Sequence, residues 1–317
     1  MRILVTPTSL QPDKCCEALE KLKEFSSDIL FNITNKPLEE EDLIPLLKEC
    51  DGYIAGLDFI TKKVIDACSK LKVISRYGVG YDRVDIEAAK EKGIIVTNTP
   101  GANSEAVGEL AFALLLSVAR KIPYLDEQTR SGAWVRSTGV ELKGKQLGIM
   151  GFGAIGKVVA RCGQGFGMKV CTYDPYIDQK YCADYHIEIL SKEELLRRSH
   201  VISLHLPLTS KTKHMLDKNA FEIMRKGVIV INTSRGGIID EKAAYDALKS
   251  GKAGGLGLDT FEFEPPVDSP LFEFKNVVVT PHTGAHTKEA TDNMANLAVE
   301  NLIAVLSGRQ CNFIVNR

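Results

Sequence analysis

Residues 147–174 constrain the fold more tightly than any other stretch. Leu147-Gly148-Ile149-Met150 is an apolar run, Gly151-Phe152-Gly153-Ala154-Ile155-Gly156 follows it as Gly-x-Gly-x-x-Gly, and Asp174 closes the next apolar run eighteen residues after Gly156. Strand, glycine turn, helix, strand and acid in this order form a dinucleotide-binding βαβ unit. The glycines have separate tasks: a tight turn at Gly151, close backbone approach to a pyrophosphate at Gly153, and helix-on-strand packing at Gly156. The helix that begins there aims free N–H groups and its positive dipole end at phosphate. Asp174 is placed for an adenosine ribose, and its charge would repel a 2′-phosphate, so NAD is the expected cofactor.

At 317 residues the chain is long enough for two domains. With 40 Lys+Arg against 41 Asp+Glu, no charge excess calls for nucleic acid or an anionic membrane as partner. The eight cysteines show no Cys-x-x-Cys spacing and read as reduced thiols, which points to the cytoplasm and away from a metal site. Arg2-Ile3-Leu4-Val5-Thr6-Pro7 is too short for a signal-peptide core and reads as a first strand. The most apolar stretch, 110–119, is ten residues long and cannot span a bilayer. Being apolar all round, it is expected to be buried on every side, as a core helix or a subunit interface.

Strands are expected at 2–6, 28–33, 52–55, 72–75 and 94–97, alternating with helices near 13–25, 38–49, 61–69 and 84–91. This alternation requires crossover connections and a parallel sheet. Asn98-Thr99-Pro100-Gly101 breaks the pattern as a hinge would. Helices near 103–119 and 122–131 lead into the fingerprint. A second doubly wound sheet then follows, with strands near 146–150, 169–173, 200–204, 228–232, 255–258 and 276–280. A final helix, about 287–307, precedes a tail expected to return to the first domain. The expected organisation is α/β, with a Rossmann nucleotide domain (100–287) inserted in a flavodoxin-like substrate domain (1–99 completed by 288–317).

Ligands of open α/β sheets sit beyond the carboxyl ends of the strands, so the residues that end each strand are the candidates for chemistry. The run 228–234 ends in Arg235-Gly236-Gly237, the run 255–258 in Asp259 with Glu264 beyond, and the run 276–281 in His282-Thr283-Gly284. An arginine, two carboxylates and a histidine thus reach the edge where the dinucleotide is expected. Arg supplies a planar two-pronged cation for a carboxylate. His is suited to take the proton of a hydroxyl that loses hydride. Glu264 would orient the imidazole and stabilise its charged form.

Across essentially its whole length the chain resembles the D-isomer-specific 2-hydroxyacid dehydrogenases, and among them most closely the phosphoglycerate dehydrogenases. The matching motifs are 76–85 (Arg-Tyr-Gly-Val-Gly-Tyr-Asp-Arg-Val-Asp), 98–103, 151–156, 232–237, 259–266 and 281–284, in family order. The resemblance implies NAD-dependent hydride transfer at C2 of a 2-hydroxy acid, with the site in a cleft between two domains and Arg235, Glu264 and His282 as the catalytic set. It further implies that Leu206, Pro207, Thr212, Thr233, Ser234, Asp259 and Gly284 line the cofactor, and that Gly78, Val79 and Gly80 bind the substrate carboxylate. Arg76 is the expected contact for a distal phosphate, with Arg136 near Trp134 a second, reaching across a homodimer formed through 100–140. Two features depart from the phosphoglycerate subgroup: Ala55-Gly56-Leu57-Asp58 stands where an arginine is common, and no regulatory domain follows. His286 stands where relatives have a small residue. Glyoxylate or hydroxypyruvate reduction is the alternative activity. An NAD-sensing interaction protein, like the corepressors that share the Arg, Glu and His, is the alternative of another class.

Overall fold

Strands covered by helices on both faces read as unbroken apolar runs rather than alternations. Val228–Asn232, Val201–Leu204 and Gly52–Ala55 follow this pattern, and every residue in them is buried. A computed structural model describes residues 1–13, 17–34 and 36–317. Residues 14–16, which include Cys15, Cys16 and part of the first expected helix, lie outside the described residues. The chain separates into two compact units, Met1–Asn103 with Ala285–Arg317, and Ser104–Gly284.

The first unit is built on a five-stranded parallel sheet of β1 (Arg2–Val5), β2 (Asp28–Phe31), β3 (Gly52–Ala55), β4 (Val73–Arg76) and β5 (Ile95–Thr97). Its spatial order is β2-β1-β3-β4-β5, the flavodoxin-like winding. Helix Lys288–Leu306 brings the end of the chain back across β3, β4 and β5 and packs on helix Glu17–Phe25. The tail then pairs with β5: Ile314 bridges Thr97 antiparallel, and the Asn316 side chain accepts from Val96 N and donates to Ile94 O. Asp58, almost fully buried, is satisfied by Thr6 Oγ1, by Tyr53 Oη at 2.8 Å and by Leu38 N at 2.6 Å. A buried carboxylate is tolerated only with partners of this kind.

The second unit contains seven parallel strands, β6 (Gln146–Met150), β7 (Lys169–Tyr173), β8 (Glu188–Ile189), β9 (Val201–Leu204), β10 (Val228–Asn232), β11 (Ala253–Leu258) and β12 (Val277–Val279). Their order is β12-β11-β10-β9-β6-β7-β8, so the winding reverses between β6 and β9. A crevice for ligand opens beyond the carboxyl ends of the strands at such a reversal. This is the Rossmann arrangement, and the chain is α/β with two doubly wound parallel sheets.

Two elements differ from the sequence expectation. β8 was not foreseen: it has only two residues, both exposed, and it exists because Cys171 and Thr172 of β7 offer it an edge to pair with. The second is helix Ser104–Arg120, where Ala113 of the apolar stretch 110–119 is exposed, which departs from a fully enclosed core helix and leaves the subunit-interface alternative standing. Glu109, Ala113 and Arg120 are exposed along one face, because positions three or four apart share a side of a helix and that side meets no element of its own unit. No helix among the described residues is long and apolar enough to cross a membrane.

Candidate active site

At the crevice of the second unit the three fingerprint glycines have distinct physical reasons. Gly151 sits at φ +92°, and a Cβ there would lie 2.4 Å from the carbonyl oxygen of His205, which follows β9. At Gly156 a Cβ would lie 2.3 Å from the Gly151 oxygen, so the helix could not approach its strand. Gly153 has open space where a Cβ would stand, and it precedes helix Ala154–Gly165 without any side-chain cap. The first turn is therefore available to an anion. Thr233 Oγ1 is a buried hydroxyl that finds no partner among the described residues, and Thr260 Oγ1 is another. An open glycine cradle and unpartnered hydroxyls fit a dinucleotide.

Asp174, which ends β7, is half-buried and accepts from Phe152 N and Tyr176 N, both at 2.7 Å. Each carboxylate oxygen keeps a second lone pair for a ribose hydroxyl. Leu206 is buried and Pro207 exposed in the segment after β9. Thr212 serves that segment internally, donating from Oγ1 to Pro207 O at 2.6 Å and accepting from Thr209 N.

The catalytic candidates are held by bonds that the strand ends themselves supply. Asn232, the last residue of β10, donates from Nδ2 to Arg235 O and accepts from Ser234 N and Ser234 Oγ, which folds 232–235 into a tight turn. Arg235 is half-buried, with Nη1 donating to Ser234 O. His282 adopts φ +52°, and its N–H is shared between Asp259 O and Thr280 O. Its Nδ1 lies 3.0 and 3.2 Å from the two oxygens of Glu264. The structure thus brings His282 and Glu264 together in one pair.

Asp259, almost fully buried, is the hub of this edge. It accepts from Thr280 Oγ1 at 2.6 Å and from Thr283 N and Gly284 N at 2.8 Å, so its carboxylate fixes the turn that carries His282. The sequence placed Asp259 at a strand end but gave no sign of this bonding, which depends on the register between β11 and β12.

In the first unit the loop after β4 shows a different construction. All three of its carbonyls are fastened: Gly78 O by Thr99 N, Val79 O by Asn98 Nδ2 and Gly80 O by Arg76 Nε. Gly78 N donates to Thr99 Oγ1, while the N–H groups of Val79 and Gly80 make no hydrogen bond among the described residues. Arg76, the expected phosphate contact, ends β4 and donates from Nε to this loop. It is buried, 3% exposed, and its guanidinium also donates from Nη1 to Ala55 O. These two bonds to backbone carbonyls help to shape the loop. Trp134 is exposed. Arg136 is exposed within the same stretch, and His286 is exposed in the Ala285–Arg317 segment.

Comparison with known proteins places this geometry. The family described as D-isomer specific 2-hydroxyacid dehydrogenase, NAD binding domain, matches residues 112–284. The chain is 43% identical over 283 residues to the D-3-phosphoglycerate dehydrogenase of Methanocaldococcus jannaschii, covering 88% of this chain and 54% of that one. It is 43% identical over 289 residues to the glyoxylate reductase of Thermococcus litoralis, covering 87% of this chain and 86% of that one. Its structure superposes on D-lactate dehydrogenase from Aquifex aeolicus complexed with NAD and lactic acid with a TM-score of 0.86 at 29% identity, covering 100% and 99% of the two chains.

Proposed function

The chain belongs to the D-isomer specific 2-hydroxyacid dehydrogenase family, and from that premise we propose that it interconverts a short D-2-hydroxy acid and its 2-keto acid with NAD. The observation that carries the proposal is the His282–Glu264 pair, set on the same sheet edge as the glycine fingerprint. NAD, when bound, supplies the hydride acceptor. Residues 151–156, Asp174, Leu206, Pro207, Thr233 and Ser234 would hold it. Arg235 pairs with the substrate carboxylate through its planar fork. His282 takes the C2 hydroxyl proton at Nε2, because Glu264 holds Nδ1 and so fixes which nitrogen faces the substrate. As the imidazole gains that proton, the adjacent carboxylate stabilises the charge. In the first unit, the N–H groups of Val79 and Gly80, which make no hydrogen bond among the described residues, offer a backbone-made anion site.

The favoured substrate is an unphosphorylated 2-keto acid such as glyoxylate or hydroxypyruvate. A phosphate dianion enclosed without a cation would be strongly disfavoured, and Arg76 is engaged by Ala55 O and Gly80 O. We also propose a homodimer through the 100–140 region. Helix Ile122–Arg130 buries none of its residues, its own Ile122 is exposed, and so are Trp134, Val135 and Val140 after it. The six described cysteines are all free, in keeping with a reducing cytoplasm.

NADH oxidation with glyoxylate, hydroxypyruvate and phosphohydroxypyruvate tests the substrate assignment. We expect turnover with the first two and a lower kcat/KM with the third. A higher kcat/KM for the phosphorylated compound would overturn the substrate class. NAD binding without turnover of any 2-keto acid would favour the interaction-protein alternative.

A further inference from the structure

Beyond the catalytic edge, two further carboxylates grip each other's backbone. Glu241 N donates to Glu262 Oε1 at 3.0 Å, and Glu262 N donates to Glu241 Oε1 at 2.8 Å. His214 lies beside the group, with Nε2 3.3 Å from Glu262 Oε1 but not hydrogen-bonded to it, and with its backbone N–H bonded to Gly237 O. Two acids at such proximity repel, and burial together with the Glu262 charge pushes the Glu241 carboxyl above its ordinary value. The arrangement is held because each acid satisfies a backbone donor, and because Glu241 opens helix Glu241–Lys249, where negative charge is favoured.

The two segments joined in this way are those that carry the catalytic candidates. Glu262 lies in the 259–264 loop, two residues before Glu264, and Glu241 lies six residues after Arg235. Their backbones touch: a Cβ on Gly236 would lie 1.8 Å from the Phe261 carbonyl carbon and 2.4 Å from Glu262 N. The other end of the loop is fixed by Asp259 to the turn that bears His282. Residues 259–264 are therefore held at both ends, toward His282 by Asp259 and toward Arg235 by Glu262.

We propose that Glu241 and Glu262 form a positioning clamp that sets Glu264, and through it His282, in register with Arg235 for the reaction. The proposal rests on the assignment of those three residues as the catalytic set. Misplacement of a reacting group by about 1 Å costs on the order of a hundredfold in rate. Accordingly, Glu241→Ala and Glu262→Ala should each lower kcat about ten- to a hundredfold, with KM and NAD affinity nearly unchanged. Because the two acids act as one device, the double variant should be no slower than the slower single variant. Glu262→Gln keeps an oxygen for Glu241 N and should restore most of kcat. The melting temperature and NAD dissociation constant of each variant separate misplacement from misfolding.

Ala variants that fold, bind NAD and keep wild-type kcat would overturn the clamp. Losses that multiply in the double variant, or that track a weakened NAD affinity, would do the same. His282→Ala measured alongside distinguishes the two levels of argument. If it retains activity, the catalytic assignment fails. If it is inactive while the clamp variants are normal, only the clamp fails.

Discussion

The carboxyl edges of the two sheets are built from different materials. In the second unit, the edge presents side chains, Arg235, Glu264 and His282, each fixed by a buried acceptor or a close backbone contact. In the first unit, the edge presents backbone: three carbonyls tied down and two adjacent N–H groups left over. The contrast follows from chemistry. Proton transfer needs a group whose ordinary titration range is near neutrality, and only a side chain provides it. Grip on a carboxylate needs oriented donors, and a rigid loop provides them without side-chain entropy.

The sharpest way to break this contrast is to remove a side chain from the second edge. His282→Ala should lower kcat by about two to four orders of magnitude, the usual range for positioned acid–base catalysis. NAD affinity, measured by fluorescence titration, should barely change. A variant that keeps most of its activity would move the proton to another group, with His286 the next to try.

A smaller effect is expected at the first edge, where the side chain acts only through the loop. Arg76→Ala removes two hydrogen bonds from a charged donor, each worth about 1.5–3 kcal/mol. The loop should loosen, and KM for the keto acid should rise roughly ten- to a hundredfold, with kcat changing less. Since the damage is to the carboxylate site, the ratio of kcat/KM for hydroxypyruvate to that for phosphohydroxypyruvate should stay constant. A selective loss with the phosphorylated compound would restore Arg76 to phosphate recognition and blur the distinction between the edges.

The sequence was most legible where a strand end coincided with a charged residue. Asp259 follows its apolar run directly, and Arg235 and His282 follow theirs within four residues, so topology alone put them on one edge. The same rule says less at Arg76: it too ends a strand, but its guanidinium donates to Ala55 O and Gly80 O, bonds set by loop geometry that the sequence does not display. The Glu241–Glu262 bonds were invisible for a related reason, since they join residues 21 apart whose approach depends on the missing Cβ of Gly236. The open face of Ser104–Arg120 was masked by composition, because Ala113 and Leu110 count as apolar wherever they point.

Asp174 combines both strategies, and its replacement should give the smallest effect. Its carboxylate already organises backbone, accepting from Phe152 N beside the glycine turn and from Tyr176 N beyond β7, and its remaining lone pairs are free for a ribose. A 2′-phosphate would bring a second anion against this charge, so NAD should be preferred over NADP. Asp174→Ala removes the repulsion, but also a charge-assisted bond worth about 1.5 kcal/mol or more to the ribose. Efficiency with NAD should therefore fall while efficiency with NADP holds or rises, narrowing the preference by roughly tenfold. A lower melting temperature should accompany this change, because Phe152 N and Tyr176 N lose their acceptor. If the variant is destabilised with the NAD/NADP ratio intact, Asp174 serves the backbone alone.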